Sequence, residues 1–373
     1  MSLDLSAAIA TVAPLIIEAS DKAEQERNYP ASVVQAMAGA GLMRMFVPAV
    51  YGGPEVAPAV ALAAMEDVAA IDGAAGWLTM IASTTSSLAV FLEPAAAAEL
   101  FGPANVVTGG VFAPNGRAVA VDGGWRCNGT WQWGSGTANC DWITGGCIAD
   151  DGSMRLMFFH AADVTLHDTW HTHGLRGTGS GEFSVTDVVV AERHSFQPLA
   201  NRPHVDSPLA RFPNFTLLAS GVAACTLGIA RHALEEVMRL ATEKRPQYSQ
   251  RTLSQHAMAL IELPRAWAAW GSARAFLHEQ VEEIWSAVLA GSHVSIDSRV
   301  RLRLACINAA EQSTKAVDTA YTLAGGTSVF QSSPLQRCLR DVHVATQHVM
   351  VSPRVLETIG KVMSGQAADT SMF

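Results

Sequence analysis

The stretch Gly174–Val190, GLRGTGSGEFSVTDVVV, decides how the chain is organised. Its first eight residues include four glycines and predict a turn. Phe183–Val190 is rich in β-branched residues and predicts a strand. Comparable short runs, separated by Gly, Asn and Asp, are Ala118–Val121, Trp125–Cys127 and Trp142–Ile148. This region of the chain is therefore expected to form a β-barrel or sandwich.

Helical sequence lies on both sides of the β region. Residues 1–104 are rich in alanine and have apolar residues at helical spacing. Four long periodic segments follow the β region: 216–244, 251–290, 296–324 and 334–364. Pro264 is expected to kink or break the second, and the short link at 290–292 implies antiparallel neighbours. We therefore predict an α+β, mainly α chain with an N-terminal α-helical domain (1–104), a middle β domain (105–210) and a C-terminal four-helix bundle (211–373).

The composition argues against several classes of function. Of the 373 residues, 49% are hydrophobic and 16% are charged, which is too apolar for a disordered chain. Because the net charge is −9 and no run of Lys or Arg occurs, nucleic-acid and anionic-membrane partners are not expected. Six cysteines without a CxxC pair fit free thiols in a reducing compartment. With no basic segment at the start and no uninterrupted apolar run of ~18 residues, the protein is expected to be soluble and cytoplasmic.

Three motifs in different regions carry a resemblance to a known family. The glycine-rich turn and strand of Gly174–Val190 are the first, and the sequence KRPQY at Lys244–Tyr248 is another. The remaining one has the spacing GG-x7-P-x2-R-x2-R-D and consists of Gly325, Gly326, Pro334, Arg337, Arg340 and Asp341. Together they span nearly the whole chain and resemble the acyl-CoA dehydrogenases. The resemblance implies that family's fold: N-terminal helices, a β domain and a C-terminal four-helix bundle.

The chain departs from that family at the catalytic base. An acyl-CoA dehydrogenase needs a carboxylate to remove a proton from its thioester substrate. At the family's two positions for this acid the sequence has His348 and Asn214, so dehydrogenation is not expected. Five further segments are instead similar to the two-component flavin-dependent monooxygenases of the same fold, which include dibenzothiophene, phenol and indole hydroxylases. These segments are Asp72–Trp77, Pro114–Ala118, Asp122–Trp125, Trp131–Gly136 and Arg340–His348.

This second resemblance implies a specific activity. The chain would be an oxygenase component that uses reduced FMN or FAD and O2 to hydroxylate a small aromatic or heteroaromatic substrate of the phenol or indole type, through a flavin C4a-hydroperoxide. It also implies a homotetramer and a separate NAD(P)H-dependent flavin reductase. The lack of a G-x-G-x-x-G motif between a strand and a helix agrees with that partner. The alternatives are an acyl-CoA dehydrogenase or oxidase, an amine N-oxygenase and a non-catalytic flavin-fold subunit.

Two residues are the catalytic candidates that the resemblance implies. Ser135 lies between two glycines and would approach the N5 edge of the flavin, with a plain hairpin turn as the alternative. His348 would deprotonate a phenol, indole N–H or amine, because imidazole titrates near neutral pH. On a continuous helix it would share a face with Arg337 and Asp341, and a solvated histidine is the alternative.

Other candidates would bind the cofactor. The resemblance assigns Arg245 and the Gly325–Gly326 turn to the flavin phosphate, with Arg245 reaching the flavin of a neighbouring subunit. A surface arginine and a helix C-cap are the corresponding alternatives. Trp133, Thr178 and Ser180 are assigned to the flavin, although a simple glycine-rich turn would also explain the last two.

The remaining polar and aromatic residues divide between substrate and structure. Trp77 and Asn214 are assigned to the substrate, on the same resemblance. Arg340 and Asp341 are expected to form a buried structural pair. No metal site is expected at His167, His171 and His173, because their H-x3-H-x-H spacing falls in a β region without a helix to align the first two.

Overall fold

The computed structural model describes residues 3–198 and 200–373. Within this part of the chain the α-helices are α1 (Leu5–Glu26), α2 (Ala31–Gly39), α3 (Pro58–Ile71), α4 (Gly73–Ser86), α5 (Pro94–Phe101), α6 (Pro208–Arg211), α7 (Asn214–Glu243), α8 (Ala257–Leu289), α9 (Ile296–Ala324), α10 (Pro334–Ala345) and α11 (Val355–Met363). The strands are β1 (Thr108–Val121), β2 (Gly124–Trp131), β3 (Trp142–Ala149), β4 (Met154–His160), β5 (Thr165–His167), β6 (Glu182–Ala191) and β7 (Ser195–Phe196). The order of elements is therefore helices, strands, helices, as the sequence predicted.

The described strands form one mixed sheet in the order β5-β6-β2-β1-β3-β4-β7. Strand β1 pairs antiparallel with β2 and parallel with β3, and the other neighbours are antiparallel. The four predicted strands lie inside β1, β2, β3 and β6, so these predictions are confirmed. The β-branched composition of these runs and the Gly, Asn and Asp residues between them were sufficient to locate them.

The interior of the sheet is built around Trp131, which has no solvent exposure. Its ring stacks on Phe183 with 5.1 Å between centroids, and its Nε1 donates to Gly146 O at 2.8 Å. A Cβ on Gly116 or Gly145 would lie 2.4 or 2.8 Å from atoms of this ring. The glycines therefore make room for a buried indole, and this packing fixes the chain two residues before Trp133.

Helix α7 is buried along most of its length and is rich in small residues. Gly228 lies so close to α3 that a Cβ there would be 2.3 Å from Glu66 O. The two helices therefore cross with their backbones in close approach. Small side chains are required at such a crossing, which accounts for the alanine-rich composition of both helices.

Two predictions for the C-terminal helices need correction. The sequence predicted a kink or a break at Pro264; helix α8 continues through this residue, so there is no break, and a kink stays a prediction. One hydrogen bond is lost there, but the buried neighbours Leu263 and Ala266 hold the helix by packing. The segment 334–364 is two helices rather than one. Helix α10 ends at Ala345, and the backbone is already extended at His348 (φ −65°, ψ 132°). It is extended again at Ser352 (φ −63°, ψ 139°), because the following proline disfavours helical backbone.

The chain packs as two units. The first contains Met1–Ala57, Leu78–Thr172 and Arg176–Phe212, and the second contains Pro58–Trp77, His173–Leu175 and Pro213–Phe373. The change of unit at 212/213 lies close to the predicted boundary at 210/211. The N-terminal helices are divided between the two units, and the division of the chain into three domains stays a prediction.

Two helical segments, Gly73–Phe91 and Asn214–Glu243, are long and apolar enough to cross a membrane by composition. In each, 83% of the apolar window is buried inside the protein. Neither segment is an uninterrupted apolar run, because each includes several Ser and Thr residues. Their burial is what the core helices of soluble proteins show.

Candidate functional site

Three hydroxyl side chains singled out in the sequence meet in the first unit. Ser135 Oγ lies 2.7 Å from Ser180 Oγ, which lies 2.6 Å from Thr178 Oγ1. All three side chains are buried. The backbone N–H of Gly136 donates to Thr178 O at 2.9 Å and ties the two glycine-rich loops together. The loops thus form one hydroxyl cluster (Ser135, Thr178 and Ser180) rather than two separate turns.

Trp133 stands beside this cluster in an unusual conformation. Its backbone has a φ of +65°, in the left-handed region that a bulky residue occupies only at an energetic cost of roughly 1–2 kcal/mol. The indole is nevertheless 66% exposed, so burial of the ring does not offset that cost. Backbone strain of this kind is concentrated at ligand sites. An exposed aromatic surface next to buried hydroxyls suits a flat heteroaromatic ligand.

A small apolar pocket adjoins Ser135 in the same unit. Most of its lining is aliphatic, including Leu78, Ile81 and Val107. The Thr108 hydroxyl also lines it and is buried without a hydrogen-bond partner among the described residues.

Arg245 and the Gly325–Gly326 turn are brought together in the second unit. The ammonium group of Lys244 donates to Ala324 O, which fixes the start of the KRPQY segment against this turn. Gly325 has a φ of +55°, a conformation that favours glycine. Both glycines and Arg245 are exposed, and no described residue pairs with the Arg245 guanidinium. An open cation beside a glycine turn can bind a phosphate.

His348 lies against Trp77 in the second unit. Their rings meet edge to face with 5.6 Å between centroids, and Trp77 is buried. The sequence placed His348 on one continuous helix with Arg337 and Asp341, but it lies beyond the end of α10, at the start of a short 3-10 turn over Val349–Val351. Its Nδ1 accepts a hydrogen bond from the backbone N–H of Met350 at 3.3 Å. This bond orients the ring, and the neutral imidazole then carries its proton on Nε2.

The protonation of His348 differs from that of an exposed histidine. Burial of the ring, together with the nearby charge of Arg303, lowers the pKa of His348 to about 4. The side chain is therefore neutral at pH 7. With Nδ1 engaged by Met350, the Nε2–H group is the part of the ring that remains available to a ligand, and it is a donor.

Arg303 of α9 completes this cluster and was missed in the sequence. It is only 2% exposed, and burial lowers the pKa of its guanidinium. Nη1 lies 3.3 Å from Met350 Sδ and 3.5 Å from Phe215 O, next to Asn214 at the start of α7. The sequence did contain a signal for this residue. Arg303 lies at helical spacing from apolar residues that are buried, and an arginine on such a face is expected to be a buried charge.

Helix α10 holds the segment 173–175 in place. Asp341 is buried, and its Oδ1 accepts from the Leu175 N–H at 2.6 Å. Arg340 donates to the carbonyl of His173, and a Cβ on Gly174 would lie 2.2 Å from Arg340 O. Arg340 and Asp341 therefore each bind the backbone of this segment, and the buried pair between them stays a prediction.

The histidines of the β region make local contacts. His167 Nε2 lies 2.8 Å from Ser184 Oγ, and Asp168 forms a 2.8 Å ion pair with Arg27. Within residues 3–198 and 200–373, no group of three or more His, Cys, Asp or Glu side chains is arranged to hold a metal ion. The six cysteines are buried free thiols.

Comparison with known proteins places this arrangement in a family. The N-terminal domain model of acyl-CoA dehydrogenases matches residues 6–96, and the C-terminal domain model matches 220–353. The chain is 32% identical over 349 residues to an indole-3-acetate monooxygenase of Pseudomonas putida, covering 92% of this chain and 89% of that protein. The chain belongs to the flavin-dependent monooxygenases of the acyl-CoA dehydrogenase fold.

Further relatives of this flavin-dependent monooxygenase agree. It is 26% identical over 353 residues to a flavin-dependent monooxygenase oxygenase subunit, HsaA, of Rhodococcus jostii, covering 91% of this chain and 92% of that one. The solved structure of XiaF from Streptomyces sp., in complex with FADH2 and glycerol, superposes with a TM-score of 0.92 at 25% identity, covering 98% of this chain and 96% of that one.

The residues of this monooxygenase fit a flavin. The exposed, unpaired guanidinium of Arg245 follows Lys244, which binds the Gly325–Gly326 turn, and it suits the phosphate. The exposed Trp133 indole and the buried hydroxyl cluster suit a planar ring with polar edges. The resemblance predicts His348 and Asn214 at the positions where a dehydrogenase has its acid, and the neutral imidazole of His348 is not a carboxylate base.

Proposed function

We propose that this protein is the oxygenase component that hydroxylates a small aromatic or heteroaromatic compound of the phenol or indole type. The observation that carries the proposal is the pairing of His348 with Trp77, where a dehydrogenase would need a carboxylate. The Pseudomonas putida relative is named for indole-3-acetate, which supports an indole-type substrate. The overall change is substrate C–H, O2 and reduced flavin giving substrate C–OH, water and oxidised flavin.

Residues of the first unit would hold the cofactor ring. Reduced FMN or FAD supplies the electrons that activate O2, and the protein supplies binding, orientation and shielding from water. The Ser135 hydroxyl is fixed by Ser180 and can donate to or accept from the N5 edge of the flavin. Trp133 would cover the ring with its exposed indole. Arg245 and the Gly325–Gly326 turn of the second unit would bind the phosphate.

Residues of the second unit would bind the substrate. Trp77 offers an aromatic wall, and Asn214 at the start of α7 offers an amide. His348 can act in two ways on a phenol or indole. As the predicted base it would take the substrate proton, but its pKa of about 4 makes it a weak acceptor. As a neutral Nε2–H donor it would orient the substrate, and its hydrogen bond to Met350 favours this role.

The partner and assembly follow from the same proposal. The Rhodococcus relative is named an oxygenase subunit, so a separate NAD(P)H-dependent flavin reductase would supply the reduced flavin. We propose a homotetramer in which Arg245 reaches the flavin of a neighbouring subunit, because this exposed guanidinium has no partner among the described residues of its own chain. A cytoplasmic location agrees with six buried free thiols.

The test supplies the purified protein with FMNH2 or FADH2 from a flavin reductase, in the presence of O2. Phenols, indoles and amines are screened, and products are followed by mass for the gain of one oxygen atom, with 18O2 as the label. We expect label in an aromatic product. Bleaching of oxidised flavin by an acyl-CoA, without oxygen gain on any aromatic compound, would instead show a dehydrogenase.

A further inference from the structure

The buried guanidinium of Arg303 is an unusual feature of the second unit. The residue lies on α9 between Val300 and Ile307, which are also buried. At this spacing the three side chains share one helix face, so the charge lies within an apolar stripe. An arginine is almost never fully buried unless a partner compensates its charge.

Its contacts inside the protein do not compensate that charge. Nη1 meets a thioether, Met350 Sδ, at 3.3 Å and a carbonyl, Phe215 O, at the long distance of 3.5 Å. The guanidinium carbon lies 5.4 Å from the centre of the Phe373 ring. Nε is buried and has no hydrogen-bond partner. Among the residues that the structure describes, no carboxylate forms an ion pair with Arg303.

A buried cation without an anion is unfavourable, because desolvation costs several kcal/mol per ion when no ion pair offsets it. The usual compensation is a carboxylate or phosphate held by two parallel N–H bonds. Here the contacts of Nη1 are weak, and the Nε–H is unused. The guanidinium therefore keeps the capacity to bind an anion that enters from outside the chain.

The neighbours of Arg303 place it beside the candidate substrate residues. Met350 joins it to His348, since Met350 Sδ contacts the guanidinium and the Met350 N–H is bound by the imidazole. His348 in turn lies edge to face against Trp77. A cation, a neutral N–H donor and an indole wall thus belong to one cluster within the second unit. Such a set matches an aromatic ring that carries an acid group.

We propose that Arg303 binds the carboxylate of the substrate, so that the enzyme prefers aryl-acetate-type anions over neutral phenols or indoles. The inference rests on the proposed function and narrows its substrate class. The carboxylate replaces the weak contacts of the guanidinium, while Trp77 contacts the ring. His348 remains neutral beside this ion pair and donates Nε2–H to a polar atom of the substrate.

Binding without turnover tests the proposal separately from catalysis. The probes are indole-3-acetate, its neutral amide indole-3-acetamide, and 3-methylindole. Their affinities are measured on the full-length protein by tryptophan fluorescence and by the shift in Tm. For the wild type we expect the acid to bind at least roughly 10-fold more tightly than either neutral probe, and to raise the Tm by about 2–4 °C near saturation.

Variants assign that preference to Arg303. Arg303→Gln should weaken binding of the acid roughly 10- to 100-fold and leave the neutral probes within about 3-fold. Arg303→Lys keeps the charge but not the two-bond geometry, so an intermediate loss is expected. The control is Arg301→Gln, because Arg301 is exposed on the same helix and pairs with Glu283 at 2.7 Å.

The outcomes separate the two proposals. Equal affinity of the wild type for the acid and the amide would overturn the role of Arg303, and so would an acid affinity unchanged in Arg303→Gln. If Arg303→Gln does not fold, the comparison of acid with amide on the wild type and on Arg303→Lys still decides. Acid-selective binding without oxygen gain in any product would overturn the proposed function and leave the carboxylate site standing.

Discussion

Ser135 can be tested as a single hydroxyl, because its partner Ser180 keeps a second hydrogen bond to Thr178 when Ser135 is changed. If the Ser135 hydroxyl contacts the flavin, Ser135→Ala should release more of the O2 consumed as H2O2, several-fold above the wild type, and form less product. The measurement is H2O2 and product per reduced flavin oxidised. Ser184→Ala is the control, since Ser184 binds His167 elsewhere on the sheet. An unchanged ratio would rule out the contact.

His348 gives a pH-dependent prediction about stability. Its pKa is about 4 in the folded protein and 6.5 in an exposed chain, so the unfolded chain binds this proton more readily. The contribution of the neutral ring to stability is therefore complete above pH 6.5 and is lost as the pH falls towards 4. Between pH 7 and pH 5 the wild type should lose about 2 kcal/mol more than His348→Gln, measured by urea unfolding.

A control keeps that result specific to the buried ring. His343 is exposed and pairs with Asp318 at 3.0 Å, so His343→Gln should show the acid sensitivity of the wild type.

The same His348→Gln protein also tests the role of His348 in catalysis. If His348 acts as a base, the loss of turnover in this variant should depend on pH. If it acts as an Nε2–H donor, the loss should be the same at every pH. Product formation equal to the wild type at every pH would exclude both roles.

The sequence motifs identified those candidate site residues that lie in loops of recognisable composition. Ser135, Thr178 and Ser180 lie in glycine-rich loops, and such loops are recognisable from composition alone. Arg303 was missed because its role arises from tertiary burial, which places it beside Met350 and His348 from other segments. The helical spacing of Arg303 with buried apolar residues was its one sequence signal.

Glu66 connects three helices through a buried ion network. Its carboxylate is fully buried and binds Arg274 Nε at 2.7 Å and His278 Nε2 at 3.4 Å, both on α8, while Arg231 of α7 lies 3.9 Å away. Burial would raise the pKa of Glu66, but the bonds from His278 and Arg274 and the charges of Arg274 and Arg231 bring it below its ordinary value. Its contribution is therefore lost as the pH falls through that lowered pKa.

Replacing this carboxylate should be costly. Glu66→Gln leaves cations of α7 and α8 without their buried anion, and we expect a loss of about 3 kcal/mol in the free energy of unfolding. The matched control is the adjacent Asp67→Asn, because Asp67 is 48% exposed and pairs with Arg231 at the surface. That change should cost less than about 1 kcal/mol. Equal losses in the two variants would show that the Glu66 network does not stabilise the helix packing.

The crossing of α3 and α4 depends on Gly76. A Cβ there would lie 2.4–2.7 Å from the Cβ and backbone of Ala69, so the helices must separate to accept it. Gly76→Ala should lower the free energy of unfolding by about 1–3 kcal/mol in denaturant. Gly271→Ala in α8 is the control, since no atom lies within 4 Å of its added Cβ, and it should stabilise the protein by up to about 1 kcal/mol. Gly76→Ala as stable as the wild type would contradict the close crossing.

Element order and the main strands could be predicted because the helical segments have apolar residues at helical spacing, whereas the strands are short runs rich in β-branched residues between Gly, Asn and Asp. The end of α10 could not, because periodicity continues beyond Ala345 while the backbone becomes extended at His348 and again at Ser352, where the following proline disfavours a helix. At Pro264 the local signal for a helix end was overridden, because burial of the neighbouring residues keeps α8 continuous. Tertiary packing and local conformation can each override the periodic signal.

The assembled molecule is tested best through Arg245. In the proposed tetramer this exposed guanidinium binds the phosphate of a neighbouring subunit's flavin. Arg245→Ala should weaken binding of FMN or FAD roughly 10-fold, because a charge-assisted hydrogen bond is lost, while affinity for riboflavin, which has no phosphate, should not change. The measurement is flavin fluorescence titration, with the oligomeric state followed by analytical ultracentrifugation.

Arg265→Ala is the control, since Arg265 is exposed and pairs with Glu262 of its own helix at 2.8 Å. A loss for riboflavin equal to that for FMN would mean that Arg245 supports the fold rather than the phosphate, and a monomeric wild type with full flavin affinity would exclude the contact between subunits.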